Sequence, residues 1–326
     1  MSEYTFVSLL GPSLIEMIEY KCSIGYQRST YENPLKNFDH FAKENFPLEE
    51  NLTRDLAMGW LTRRENEGIN AFYHRICLMR TFGKYLKSIG KTAYVVPDHF
   101  GKSSKNFMPY IYSDNELNEL FCMIDTLSSE LQNSFQTQVF PVLFRLTYTC
   151  GLRPNESRLL LRENINEHTG ELRVVKTKQH KERLIVMSDD MKSYMKKYLS
   201  IRDAYFCDNP FVFPRIDGKS YTARQVQAFL MKCWTAVKSD LDPDLIPAVR
   251  TYDFRHRFAT EVLMRWMEQD IDIPSMLPYL KMYMGHASFS STVYYVHLLP
   301  ERIVHSSNID WKAFSDIVPE VELWEE

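Results

Sequence analysis

Three side chains in the last quarter of the chain have the types and the order needed to act on a bound phosphate. They are Arg255, His286 and Tyr295. A guanidinium stays protonated at neutral pH and can donate two parallel hydrogen bonds to phosphate oxygens. A tyrosine hydroxyl can attack phosphorus and form a covalent intermediate. These residues predict phosphoryl transfer through a phosphotyrosine.

The surrounding sequence does not indicate a metal or a nucleotide cofactor. No glycine-rich nucleotide loop and no acidic cluster with the spacing of metal ligands accompanies these residues. The electrostatic stabilisation for which other phosphoryl-transfer enzymes often use Mg²⁺ would then come from side chains. We expect neither a metal nor another cofactor.

The nucleophile could be either of two adjacent tyrosines, Tyr294 or Tyr295. Successive residues of a helix point about 100° apart, so only one of the two can face the phosphate. Both could instead be core or interface aromatics. The residue types alone leave this choice open.

The chain that must position these residues divides into a helical front part and a mixed rear part. Residues 1–95 show apolar side chains at three- and four-residue spacings, which predicts an all-α domain. Residues 96–112 carry Pro, Gly and Ser and predict a linker. Residues 113–307 form the second predicted domain, and residues 308–326 form an acidic tail with several large apolar side chains.

Within the second predicted domain, a β-hairpin interrupts the helical pattern. The runs 171–175 and 183–187 predict two strands joined by a strongly basic tip. Gly151 predicts the end of a helix, and Pro154 suits the first turn of the next helix, which carries Glu156. We therefore expect a mostly α fold with a small β-hairpin or sheet.

The segment from Arg75 to Lys105, at the end of the predicted helical domain and in the predicted linker, is rich in basic residues. Its cations outnumber its acids, and such a run is either a solvated face or a surface that lines a polyanion. Beside a phosphate site, we expect it to contact nucleic acid. The candidate contact residues are Arg75, Arg80, Lys84, Lys87, Lys102 and Lys105.

Composition favours an intracellular protein without a membrane span. The formal net charge of -3 argues against a uniformly basic surface, although it does not exclude local basic faces. Six cysteines are scattered without a CxxC pair, and no signal peptide is evident. No apolar run approaches the roughly 18 residues of a membrane helix. We expect a cytoplasmic location.

Five motifs in one fixed order resemble the tyrosine recombinase (phage integrase) family over about residues 113–300. They are Gly151-Leu-Arg-Pro-Asn-Glu156, the basic hairpin tip, Tyr252-Asp-Phe-Arg-His256, Met284-Gly-His286 and Tyr295. The resemblance implies an all-α core-binding domain and a mixed α/β catalytic domain that close as a C-shaped clamp on double-stranded DNA.

The resemblance also implies roles for individual residues. Arg153 matches the family's first catalytic arginine, and Arg255 matches the second, on the opposite side of the scissile phosphate. His286 matches the residue that hydrogen-bonds this phosphate. Tyr295 follows that histidine at the family's usual spacing and precedes another histidine by two residues, so the resemblance favours Tyr295 over Tyr294.

The hairpin tip offers three lysines. Aligning Lys181-Glu-Arg183 with the similar family segment places Lys178 at the catalytic lysine, which would protonate the departing 5′-oxygen. Lys176 and Lys181 remain alternatives because hairpin registers slip. We expect both of these lysines to contact DNA phosphates.

Two further positions leave alternative roles open. Glu156 either orients Arg153 and its neighbours or is a solvated or helix-capping glutamate.

Tyr252 departs from the family, which usually has a histidine or lysine there. A phenol can donate a hydrogen bond to a phosphoryl oxygen, but its reference pKa of about 10 makes it a poor base near neutral pH. If this position normally helps to remove the nucleophile's proton, that task is weakened or carried out elsewhere. We expect the neighbouring His256 to be a packed core histidine.

The implied reaction is cleavage and rejoining of DNA through a 3′-phosphotyrosyl link, without ATP. The favoured function is a site-specific recombinase that integrates and excises a mobile element; resolution of replicon dimers is the other role. Two alternatives are a type IB topoisomerase-like enzyme and a catalytically weakened DNA-binding regulator. The family implies a homotetramer on paired DNA sites. The tail would dock on a neighbouring protomer or pack within its own.

Overall fold

The computed structural model describes residues 5–102, 108–131, 135–175 and 182–299. The chain divides into two compact units, Met1–Met108 and Pro109–Glu326. Val96 and Tyr112, the two ends of the predicted linker, are fully buried, one in the core of each unit. The boundaries of the four predicted parts stay a prediction.

The regular elements of the first unit are all helices in its described residues. Phe38 lies at its centre and makes edge-to-face contacts with Trp60 and Phe82, at centroid distances of 5.7 Å and 6.1 Å. The Thr53 side chain caps the third helix by accepting a hydrogen bond from the Leu56 backbone N–H. The helices are α1 (Gly11–Ser23), α2 (Arg28–Asn45), α3 (Arg54–Trp60) and α4 (Ile69–Ser88).

The second unit combines helices with one small sheet. A capping box opens its first helix, because the Ser113 and Glu116 side chains each bond the other's backbone N–H. The helices are α5 (Asp114–Ser129), α6 (Gln136–Thr149), α7 (Pro154–Arg158), α8 (Asp189–Tyr205), α9 (Ala223–Val237), α10 (Asp253–Glu268), α11 (Ile273–Met284) and α12 (Ser290–Val293).

Helix α6 is the centre of this unit and packs against α5, α8 and α10. Its side chains are apolar on almost every face, which is typical of a helix surrounded by protein. Phe140 stacks on Phe229 of α9 at 4.0 Å, and Phe144 contacts Phe254 of α10 at 5.6 Å. These contacts fix the start of α10, where Arg255 lies.

The sheet has three antiparallel strands in the order β1 (Ile165–Asn166), β2 (Glu171–Val174) and β3 (Arg183–Val186). Leu172 pairs with Ile185, and both side chains are buried. The predicted hairpin is therefore present, with the additional short strand β1. The fold-class prediction is confirmed: the described chain is mostly helical with one small sheet. None of the described helices is long and apolar enough to cross a membrane.

Candidate active site

The first arginine of the site is positioned by a turn between α6 and α7. Gly151 adopts a φ of 56°, a left-handed conformation that glycine enters without strain. The chain then turns so that Arg153 occupies the N-cap of α7 and Pro154 its first position, as predicted. The carbonyl of Gly151 points back toward α10 and accepts a hydrogen bond from Arg255 at 2.6 Å.

Arg255 is fully buried and is held mainly by backbone carbonyls. Its Nη1 donates to Gly151 O, and its Nη2 donates to Met284 O. The same Nη2 lies 3.1 Å from His286 Nε2. Burial and then the charge of Arg153 lower the pKa of Arg255. Its Nε is buried and has no hydrogen-bond partner in the described part of the chain.

Arg153 reaches the same backbone turn from the other side. Its Nη2 donates to Gly285 O at 2.6 Å, and its Nη1 donates to Glu156 Oε1 at 2.7 Å. The side chain keeps 26% of its surface exposed, whereas Arg255 keeps none. The two guanidinium groups therefore meet at the Met284–Gly285 turn, one buried and one open to the cavity.

Glu156 is the shared acceptor of this cluster. Besides Arg153 it accepts two bonds from Arg183, from Nη1 to Oε1 at 3.0 Å and from Nη2 to Oε2 at 2.7 Å. Burial raises the pKa of Glu156, but the bonds from Arg183 and Arg153 outweigh it and hold the pKa at about 2. Glu156 is thus a charged residue that orients two arginines. A solvated glutamate does not fit its exposed fraction of 8%, whereas the alternative of a helix-capping glutamate does fit, because Glu156 Oε2 accepts from the Arg153 backbone N–H at the start of α7.

His286 has a defined tautomer. Arg255 can only donate, so the bond between Arg255 Nη2 and His286 Nε2 makes Nε2 the acceptor. Nδ1 then carries the proton and donates to Thr292 Oγ1 at 2.8 Å. Burial and then Arg255 lower the pKa of His286 to about 3, so the ring is neutral at pH 7. Gly285, with a φ of 63°, ends α11 and sets this position.

The two candidate nucleophiles differ in environment. Tyr295 is 2% exposed and lies 5.7 Å from the His286 ring, nearly parallel to it, whereas Tyr294 is 38% exposed. Burial raises the pKa of Tyr295 to about 12, although Arg255 acts in the opposite direction. Tyr295 is therefore the tyrosine packed among the site residues, while Tyr294 borders the same cavity from a more exposed position.

Tyr252 and His256 lie beside this pair. His256 is buried, as expected of a core histidine, and its ring lies 5.1 Å from Tyr252 and 5.6 Å from Tyr295. Burial, Arg250 and Arg255 lower the pKa of His256 to about 4.

An open cavity of about 1490 Å³ brings the site together. Its walls include five of the predicted or neighbouring site residues together with an apolar side formed by α10 and α11. These five residues are Arg153, Tyr252, His256, His286 and Tyr295. No group of His, Cys, Asp and Glu side chains in the described ranges is arranged to hold a metal ion.

The hairpin lysines Lys176, Lys178 and Lys181 lie outside the described residues, as do Lys105 and the predicted tail, 308–326. The structure therefore places the strands that carry the hairpin tip, but the three lysines keep their predicted roles only as expectations.

The other predicted DNA contacts in the first unit fall into two groups. Arg75 bonds Glu67 at 2.6 Å and lies 4.6 Å above the Trp60 ring. Arg80 donates to the carbonyls of four residues that follow α4, at 3.0 Å to Val96, 2.6 Å to Pro97 and 3.3 Å to both Asp98 and Phe100. In contrast, Lys84, Lys87 and Lys102 are exposed.

Sequence reasoning missed two residues that support the site. Arg183 pairs with Glu156, and Thr292 fixes the tautomer of His286. The sequence motif could have identified Arg183 as a site residue, because it belongs to the Lys181-Glu-Arg183 segment that aligned the hairpin. Thr292 had none, since a threonine in a polar helix is an ordinary surface residue by sequence.

Comparison with known proteins shows the family of the chain. The model of the phage integrase family matches residues 113–302. A Sinorhizobium fredii protein named as an integrase/recombinase, y4rE, is 27% identical over 293 residues, covering 89% of this chain and 92% of that protein. Tyrosine recombinase XerC of Leptospira interrogans is 27% identical over 305 residues, covering 90% and 91%.

A solved structure shares the fold. The XerH site-specific recombinase, bound to its palindromic difH substrate after cleavage, superposes with a TM-score of 0.66 at 16% identity. The match covers 93% of this chain and 96% of that one. Because the family model spans more than half of the chain, we conclude that the chain belongs to the phage integrase family, the tyrosine-type site-specific recombinases.

Proposed function

We propose that this protein cuts and rejoins double-stranded DNA through a covalent 3′-phosphotyrosyl intermediate on Tyr295. One observation carries the proposal: Arg153, His286 and Tyr295 line one cavity, and Arg255 bonds His286 directly behind it. A scissile phosphate in this cavity would meet two guanidinium groups, one imidazole and one phenol. That set can stabilise the added negative charge of a pentacoordinate transition state.

The arginines act as the electrostatic clamp. Arg153 already presents its guanidinium to the cavity, held by Glu156 and Gly285 O. Arg255 is buried and held by two carbonyls, and binding a phosphate oxygen would require its Nη2 to give up His286. His286, once released, would donate to the same phosphate as its Nε2–H tautomer, with Nδ1 accepting from the Thr292 hydroxyl.

Tyr295 supplies the nucleophile in this proposal. Its hydroxyl attacks phosphorus, the bond from phosphorus to the 5′-oxygen breaks, and a hairpin lysine, Lys178 by the family alignment, protonates the leaving oxygen. The 5′-hydroxyl of another strand can later reverse these steps. Tyr252 would donate a hydrogen bond to a phosphoryl oxygen.

The natural role that we propose is integration and excision of a mobile element. Similarity to y4rE over most of the chain supports an integrase-type role. We further propose four protomers on two DNA duplexes, with the tail at 308–326 exchanged between neighbours. Exposed Lys84, Lys87 and Lys102 would contact DNA phosphates.

A suicide-substrate trap tests the chemistry. Wild type, Tyr295→Phe and Tyr294→Phe are incubated in EDTA with nicked DNA from the element's own junction and separated on a denaturing gel. We expect a protein–DNA adduct from wild type and Tyr294→Phe and none from Tyr295→Phe. Loss of the adduct only in Tyr294→Phe would transfer the nucleophile's role to the neighbouring residue. A wild type that binds the junction without forming an adduct would refute the proposal in favour of a DNA-binding regulator.

Paired sites test the biological role. A plasmid with two junctions should yield recombinants through synapsed complexes that contain four protomers. Relaxation of a supercoiled plasmid that carries one site, without recombinants from the plasmid with two, would indicate topoisomerase activity instead.

A further inference from the structure

Two imidazole rings flank Tyr295, and they differ in how their nitrogens are used. The His286 ring lies 5.7 Å from the tyrosine ring, and the His256 ring lies 5.6 Å from it. Both nitrogens of His286 are engaged, Nε2 with Arg255 and Nδ1 with Thr292. Nδ1 of His256, in contrast, is buried and bonds to none of the described residues.

An unpaired polar atom in this position calls for a physical reason. Buried polar atoms almost always have a partner, because their desolvation is otherwise uncompensated. A role in a reaction is one of the reasons for which a protein keeps such an atom unpaired. His256 also lines the cavity that holds Arg153 and Tyr295, so its ring is next to the proposed chemistry.

The neighbours of His256 keep its ring uncharged and oriented. Three phenol rings surround it, those of Tyr252 at 5.1 Å, Tyr295 at 5.6 Å and Tyr294 at 6.3 Å. Burial and the charges of Arg250 and Arg255 favour the neutral imidazole. A neutral imidazole has one nitrogen that donates and one that accepts. His256 therefore has a neutral ring beside the Tyr295 ring, with a buried Nδ1 that bonds to none of the described residues.

We propose that His256 accepts the proton of the Tyr295 hydroxyl during DNA cleavage. This inference rests on the proposed function. As the Tyr295 oxygen bonds to phosphorus, its O–H bond breaks and the proton moves to a ring nitrogen of His256. The bond from phosphorus to the 5′-oxygen breaks with its electron pair, and that oxygen takes a proton from the hairpin lysine. In the rejoining step His256 returns its proton to the departing phenol, so no external acid or base is consumed.

This assignment accounts for the departure at Tyr252. A phenol at that position can donate a hydrogen bond but is a weak acceptor of the nucleophile's proton near neutral pH. Its ring instead packs beside the His256 imidazole and restricts its rotation. Tyr252 would be a positioning residue for His256, and His256 the proton acceptor.

The test compares His256→Gln and His256→Phe with wild type in the suicide-substrate trap at pH 7. Glutamine keeps a polar group without useful basicity, and phenylalanine keeps a packed ring without nitrogens. We expect both variants to bind the junction DNA and melt like wild type, but to form the adduct about 10²-fold more slowly, the usual contribution of a general base. His168→Gln, which alters an exposed histidine between β1 and β2, is the control and should keep the wild-type rate.

A second arm separates proton transfer from packing. Tyr295 is replaced by a fluorinated tyrosine, whose phenol is more acidic and depends less on a base. We expect this replacement to restore much of the lost rate in His256→Gln and His256→Phe while changing the His256 protein little. Wild-type rates in both variants, or a slow rate that fluorination leaves unchanged, would overturn the inference while the proposed function stands. A wild type without any adduct would overturn both.

Discussion

Arg183 and Glu156 form a two-point ion pair between strand β3 and helix α7, with N–O distances of 3.0 Å and 2.7 Å. Because Glu156 also bonds the backbone N–H and the guanidinium of Arg153, one carboxylate joins the tip-side end of strand β3 to the first arginine of the site. Strand β3, which follows the basic tip in the chain, is thus fixed beside the proposed phosphate position.

Glu156→Gln should therefore destabilise the protein strongly. The substitution leaves two arginines without their anionic partner, and breaking a buried ion pair costs about 3–5 kcal/mol. Since Arg153 keeps a quarter of its surface exposed, we expect the lower end of this range. Urea unfolding followed by circular dichroism measures the change. The matched control is Glu167→Gln, which removes a half-exposed partner of Arg162 and should cost at most about 1 kcal/mol. Equal losses in the two variants would contradict the role of Glu156.

Gly285→Ala should reduce both stability and adduct formation. The residue has a φ of 63°, and an added Cβ would lie 3.0 Å from Arg183 Nη1. The left-handed conformation alone costs about 1 kcal/mol for alanine. Gly90→Ala separates the two effects, because Gly90 has a φ of 79° but nothing within 4 Å of its added Cβ. We expect thermal unfolding to show a larger loss for Gly285→Ala, and the trap to show slower cleavage only there. The same loss in both variants would mean that the contact with Arg183 is unimportant.

The cations of the first unit should separate into DNA contacts and structural residues. Lys84→Ala and Lys87→Ala should weaken DNA binding on any sequence and each reduce the salt dependence of log K by about one. Arg80→Ala should instead lower the free energy of unfolding by about 1–3 kcal/mol, because it leaves carbonyls of Val96, Pro97 and Phe100 without their donor. Fluorescence anisotropy at several salt concentrations and urea unfolding distinguish these effects. A stable Arg80→Ala protein with a reduced salt slope would reverse the assignment.

Stability should fall early as the solution is acidified. Histidine in the unfolded chain binds a proton near pH 6.5, whereas burial lowers the folded pKa to about 4 for His256 and about 3 for His286. Between pH 6.5 and about 4 the unfolded state therefore binds more protons, and stability decreases as the pH falls. Each histidine contributes at most about 1.4 kcal/mol per pH unit. Glu156 acts in the same direction as the pH falls from 4.5 toward its folded pKa of about 2.

Urea unfolding at pH 5, 6 and 7 checks this dependence. The His256→Phe variant removes one of the two titrations, so its stability should change less steeply with pH than that of wild type. Parallel curves for the two proteins would show that His256 titrates normally in the folded state.

The sequence was informative where function depends on residue type and spacing. The helical pattern, the hairpin and the cluster of Arg153, His286 and Tyr295 were all predicted, because periodicity and motif order are visible in one dimension. The burial of individual residues was not predicted. Arg75 and Lys84 look alike as cations in the sequence. In the structure Arg75 bonds Glu67 and lies over the Trp60 ring, whereas Lys84 is exposed.

The backbone partners of the site could not be read from the sequence at all. Arg255 bonds Gly151 O and Met284 O, and Arg153 bonds Gly285 O. Every residue has a carbonyl, so residue type carries no signal for these anchors. Arg183 was noticed only as part of a motif, since its partner Glu156 is 27 residues away and the pairing depends on the fold.

These carbonyl anchors also bear on how the gene can change over generations. A hydrogen bond to a main-chain oxygen survives replacement of the side chain on the same residue. The hydrogen bond from Arg255 to the carbonyl of residue 284 therefore does not require a methionine there. Tolerance to substitution is then uneven. Most neighbours of the two arginines can be replaced, whereas Gly151 and Gly285 cannot, because their backbone conformations orient the carbonyls. A deep mutational scan of residues 150–156 and 283–287 would show this as two intolerant glycines beside permissive apolar positions.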